Sequence, residues 1–131
     1  MDRPADGARF VVLDGLDGCG KSTQAARLAA WFSARSVEPA LHLREPGSTA
    51  AGERIRALLL DGETGLAPET QVLLFAAARR QMLDELVRPA LVAGRAVVCE
   101  RFHPSTFAYQ GTAGGVDEER LLALLLDWAG A

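Results

Sequence analysis

The 131-residue sequence predicts an α/β domain built on a parallel sheet, on three observations. Two short apolar runs, residues 10–13 and 96–99, lack the alternation of a half-exposed strand and read as strands covered on both faces. The stretches between them carry apolar residues at helical spacing, so strands and helices alternate in the order expected of a three-layer α/β/α arrangement. The first strand also runs directly into a glycine-rich turn that opens the first helix.

Each element has its own justification. After the strand at 10–13, Ala25, Leu28, Ala29 and Phe32 form one apolar helical face with Trp31 beside it. Residues 39–43 form a second strand, closed by Arg44-Glu45-Pro46-Gly47, where Pro and Gly impose a loop. A second helix carries Ile55, Leu58 and Leu59 and stops near Asp61-Gly62. Pro68 suits the first position of a long third helix, with Glu69 favourable beside its positive end. Pro89 kinks that helix or ends its regular part, and Gly94 stops it. The third strand, 96–99, runs into Glu100-Arg101 and a loop rich in Gly, Pro, Ser and Thr, and a last helix at 116–128 begins with Asp117-Glu118-Glu119. A sheet of about three strands is thin for this architecture and leaves at least one edge bare.

Composition narrows the function. Hydrophobic residues at 49% and charged residues at 24% are the balance of a soluble globular chain, and the length suits a single domain at 1–131. A net charge of -3 argues against a nucleic-acid binder with a basic surface, but leaves room for a small anion in a local basic pocket. No apolar stretch approaches the roughly 20 residues that span a bilayer, and the first nine residues lack a signal-peptide core, which together point to the cytoplasm. Cys19 and Cys99 have neither zinc-ligand nor redox-motif spacing, and His42 and His103 lack any metal or triad spacing, so packing or surface is their expected role.

The strongest chemical signal is Gly15-Leu16-Asp17-Gly18-Cys19-Gly20-Lys21-Ser22, which satisfies G-x-x-x-x-G-K-[ST] between a strand and a helix. Glycines let backbone N–H groups wrap a phosphate, and the helix that follows aims its positive end at it. Lys21, the single lysine among 14 basic residues, is then the point charge on the β- and γ-phosphates, and Ser22 a magnesium ligand. These features refine the fold class to that of a P-loop NTPase. Glu100, at the end of the third strand, stands where such enzymes put a carboxylate toward the metal, and Arg101 offers a planar fork for an acceptor phosphate. Phe75 and Arg79, at i and i+4, project from one helix face, where they could stack a base and hydrogen-bond its edge.

Four segments in order, Phe10-Val-Val-Leu-Asp-Gly-Leu-Asp-Gly-Cys-Gly-Lys-Ser-Thr-Gln24, Leu43-Arg-Glu-Pro-Gly-Ser-Thr49, Leu73-Leu-Phe-Ala-Ala-Ala-Arg79 and Glu100-Arg-Phe-His-Pro-Ser-Thr-Phe-Ala-Tyr-Gln-Gly111, resemble the thymidylate kinase family. The resemblance implies transfer of the γ-phosphoryl of magnesium ATP to thymidine monophosphate (dTMP), giving dTDP, a step toward dTTP. It implies ATP and Mg2+ as cofactors, nucleotides as the partners, and no nucleic acid or membrane. Gly15 to Ser22, with Thr23, matches the donor-phosphate loop, with Ser22 and Glu100 toward the metal. Asp17 matches the carboxylate that holds the acceptor sugar, and Arg44 and Arg101 the arginines near the acceptor phosphate. Phe75 matches the residue stacked on thymine, Arg79 the one on its edge, and Ser105, Tyr109 and Gln110 positions around base and deoxyribose.

Two departures are visible: Glu100 stands where the family usually has Asp, and Gly18 where some members carry a loop Arg. The family's lid and later strands are expected beyond residue 131, so the first strand, central in the family, is expected at an edge. The resemblance also implies assembly as a homodimer. A deoxynucleoside kinase, a nucleotide-binding fragment without catalysis, and an interaction protein whose bare first-strand edge pairs with another chain, such as a separately encoded remainder, are the competing readings.

Overall fold

A computed structural model describes residues 8–101, 115 and 117–127, which fall into two compact units. The described part of the first unit comprises residues 8–45 and 84–101, and that of the second comprises 46–83, 115 and 117–127.

In the first unit, β1 (Phe10–Leu13), β2 (Leu41–Arg44) and β3 (Val97–Glu100) form a parallel sheet in the order β1-β3-β2. The central strand is the most covered: Val97, Val98 and Cys99 are fully buried, whereas every residue of β1 is only half-buried. β1 pairs with β3 alone among the described strands, the edge position expected of it. Helix α1 (Lys21–Ser33) covers one face by packing Ala25 and Ala29 on Val98, with Leu13, Leu28, Phe32 and Ala40 around them.

β2 begins two residues later than its pattern predicts. Pro39 gives its carbonyl to Arg95 Nε (2.8 Å) and Ala40 its N–H to Ser33 Oγ (2.9 Å), so the ladder starts at Leu41, whose N–H donates to Ala96 (2.9 Å). At the other end Glu45 N–H donates to the carbonyl of Glu100 (2.9 Å), which carries both strands one residue past the expected ends.

Helix α3 (Pro68–Met82) starts at the predicted proline, but its winding changes before Pro89. Residues Leu83–Val87 form a π-helical turn, and Arg88–Val92 resume as α4. A proline lacks its N–H and crowds the carbonyl four residues back, here that of Glu85, and a wider turn removes that conflict.

In the second unit, α2 (Ala50–Leu60) is capped by Thr49, whose Oγ1 accepts from Gly52 N–H at 2.8 Å. Helix α5 (Glu118–Asp127) is capped by Asp117, which accepts from Arg120 N–H at 2.9 Å and sets the start two residues inside the expected one. Val72 of α3 forms a small core with Leu121 and Leu125 of α5, beside a groove of about 240 Å³.

Candidate active site

The loop between β1 and α1 is exposed throughout residues 14–20. Gly18 and Gly20 have φ of 78° and 87°, and nothing among the described residues lies within 4 Å of where a Cβ would stand on either. Glycine is needed there for the left-handed torsion and not for space. Gly20 is the N-cap of α1, and the first turn has neither a side-chain cap nor an acidic residue. Its amides therefore face the loop with the helix's positive end uncompensated, and Lys21 adds a full charge. Leu16 and Cys19 lie in the exposed loop and Thr23 in the first turn, also exposed.

Parallel pairing assembles the other side. His42 stands opposite Val98 and Arg44 opposite Glu100, as does Leu13. Because strand side chains alternate, Ala40, His42 and Arg44 share a face with Val98 and Glu100, the face on which α1 packs. Ser22, the second residue of α1, thus reaches Glu100: its hydroxyl donates to Oε1. His42 Nε2 lies 2.6 Å from Oε2 of the same carboxylate. Burial pushes the Glu100 carboxyl up, but the Ser22 and His42 hydrogen bonds and the charges of His42 and Lys21 outweigh it and hold it below its ordinary range.

Arg101 follows β3 with φ of 69°, a conformation costly for a residue with a Cβ. Its N–H donates to Leu13 O (2.8 Å), its carbonyl accepts from the Cys99 thiol (3.3 Å), and its guanidinium pairs with Asp17. Asp17, Lys21, Ser22, Arg44, Glu100 and Arg101 therefore gather in the first unit at the loop and the strand ends. Phe75 and Arg79 lie on α3 in the second unit, half-buried and buried respectively. Ser105, Tyr109 and Gln110 are outside the described residues.

The donor set fits a magnesium ion. Ser22 and Glu100 supply hard oxygens, and the described residues hold no cluster of three His, Cys, Asp or Glu that would make an all-protein cage. Mg2+ with a nucleotide takes one or two protein oxygens and fills the remainder with phosphate and water. The residue that sequence reasoning missed is His42. Its only signal was the alternation that puts it two residues before Arg44 on the same strand face.

Comparison with known proteins agrees with this geometry. The family model described as thymidylate kinase matches residues 13–129. The thymidylate kinase of Desulfovibrio desulfuricans is 49% identical over 116 residues, covering 88% of this chain and 53% of that one. That of Chlorobium chlorochromatii is 44% identical over 116 residues, covering 88% and 52%. The chain thus spans about half the length of these curated relatives. The crystal structure of thymidylate kinase from Ehrlichia chaffeensis superposes with a TM-score of 0.83 at 37% identity, over 90% of this chain and 66% of that one. A family model spanning nearly the whole sequence, together with a strand-loop-helix site that carries the family's motif, establishes that this chain belongs to the thymidylate kinase family.

Proposed function

We propose that the protein phosphorylates dTMP to dTDP with magnesium ATP. The observation that carries this reading is the contact between Ser22 and Glu100 behind the loop, with the Lys21 charge adding to the hydrogen bonds of Ser22 and His42 that favour the ionised Glu100 carboxylate. Residues 1–131 are read as one kinase domain of a cytoplasmic enzyme. Among the described residues no helix is long and apolar enough to cross a membrane.

In this mechanism the loop amides and the start of α1 bind the donor phosphates and align them with the acceptor. Lys21 offsets the negative charge that moves with the transferred phosphoryl group. Ser22 and Glu100 would hold the metal, which would supply neutralisation of phosphate charge and polarisation of the transferred group. On the acceptor side Arg101 and Arg44 take the monophosphate and Asp17 the sugar hydroxyl. The ion pair between Arg101 and Asp17 supports a shared role for the two groups on the acceptor side. By the family resemblance, Phe75 is the candidate for the base, Arg79 for its edge, and Ser105, Tyr109 and Gln110 for base and sugar.

The test is ATP-dependent phosphorylation by the purified chain, offered dTMP, other monophosphates and thymidine in parallel, with Lys21→Ala as control. Turnover of dTMP that vanishes in the control supports the kinase. Preference for thymidine would favour a deoxynucleoside kinase. Binding of ATP without turnover would favour a nucleotide-binding role. Mass in solution separates a homodimer from pairing with a separately encoded remainder.

A further inference from the structure

We infer that His42 is a positioning residue for the phosphate-and-metal site, holding the second oxygen of Glu100 so that the carboxylate meets a nucleotide-bound cation in one fixed orientation; this rests on the nucleotide reading above. The terminal torsion of a glutamate is broad and roughly two-fold, so a single anchor fixes one oxygen and leaves the carboxylate plane free to turn. Glu100 has two anchors on two different elements: Ser22 of α1 on Oε1, and His42 of β2 on Oε2 at 2.6 Å. An ionised carboxylate only accepts hydrogen bonds, so Nε2 donates an N–H to it. The Glu100 side chain is 13% exposed and the His42 side chain 33%, which puts the imidazole at the rim and the carboxylate inside it.

His42 is not needed to join the two strands. Backbone bonds already do so at both ends, Leu41 N–H to Ala96 and Glu45 N–H to Glu100, each at 2.9 Å. What the imidazole adds is orientation, and Mg2+ accepts little departure from octahedral geometry. Partners that orient a metal-facing group typically cost 10- to 100-fold in metal affinity when removed.

The experiment is calorimetric titration of the whole 131-residue chain with ATP, once with Mg2+ and once with chelator, for wild type, His42→Leu, His42→Gln and Lys21→Ala. Gln keeps an N–H donor near the position of Nε2. The expected result is that His42→Leu weakens binding with Mg2+ by about tenfold, leaves binding with chelator within about twofold, and is largely recovered in His42→Gln, with thermal melts showing all variants folded. The inference is overturned if His42→Leu binds as wild type does with Mg2+, if it loses equally with and without the metal, or if His42→Gln recovers nothing. Should His42→Leu not fold, His42→Gln decides alone: affinity near wild type with Mg2+ supports the role and a tenfold loss overturns it. Failure of the underlying reading looks different, since wild type would then bind no ATP, or bind it as well after Lys21→Ala.

Discussion

The guanidinium of Arg101 pairs with the carboxylate of Asp17, joining the end of β3 to the phosphate loop across 84 positions of sequence. Asp17 is 89% exposed, and pairs that open to water contribute at most about 1 kcal/mol. The pair is therefore a matter of placement more than stability. Asp17→Asn should change urea stability by less than about 1 kcal/mol while lowering dTMP turnover, and a matched loss in both would contradict the assignment.

Arg101 has a second, purely conformational consequence. Its φ of 69° suits glycine and strains a β-branched residue by about 1–2 kcal/mol. Arg101→Gly and Arg101→Val both remove the guanidinium, so their difference isolates the backbone. Urea unfolding should find the valine variant at least about 1 kcal/mol less stable than the glycine variant.

Lys21 is half-buried at the first position of α1, and in the proposed mechanism it contributes charge, not packing. Lys21→Ala should lower turnover at least about a hundredfold, the scale of electrostatic terms at a transferring group. Its melting temperature should stay within a few degrees of wild type. Parallel rate and melting measurements check both halves.

Glu100 links stability to pH. Its carboxyl is held below the ordinary value of 4.5, so its contribution is fully present above that value and is lost as pH falls through the lower folded value. Urea midpoints measured from pH 6 down into the acid range should fall less steeply in Glu100→Gln than in wild type. Parallel curves would show that the carboxylate is not preferentially ionised in the folded state.

Gly52 reverses a common rule. Replacing a helical glycine by alanine ordinarily stabilises by about 0.5–1 kcal/mol. Here the new Cβ would stand 2.7 Å from the Gly47 carbonyl and 2.8 Å from Thr49 Oγ1, the atom that caps α2. Gly52→Ala should therefore destabilise, by about the 1 kcal/mol that a lost cap costs, in the same urea assay.

Much of this was legible because it depends on local chemistry. The phosphate loop, Pro68 at the start of α3 and Asp117 before α5 each act through their own backbone neighbourhood. Pro89 was legible as a disturbance, but its effect falls on residues 83–87, since the conflict is with a carbonyl one turn earlier. His42 was not legible as a site residue. Its partner lies 58 positions away and becomes a neighbour only through the register of β2 on β3. The start of β2 was also hidden, because Arg95, 56 positions away, and Ser33, at the end of α1, take the backbone groups of residues 39 and 40.

β3 lies between two partners and has fully buried residues from Val97 to Cys99, whereas residues 14–20 are exposed throughout. The two sides of the phosphate site therefore differ in how they open. Amide hydrogens of the central strand are expected to exchange with solvent only when the unit unfolds, and those of the loop through local excursions, which hydrogen-exchange measurements would check. In the proposed reading a nucleotide would meet one wall anchored in the core and another formed by an exposed loop, with the carboxylate and its anchors as the fixed reference for the fit.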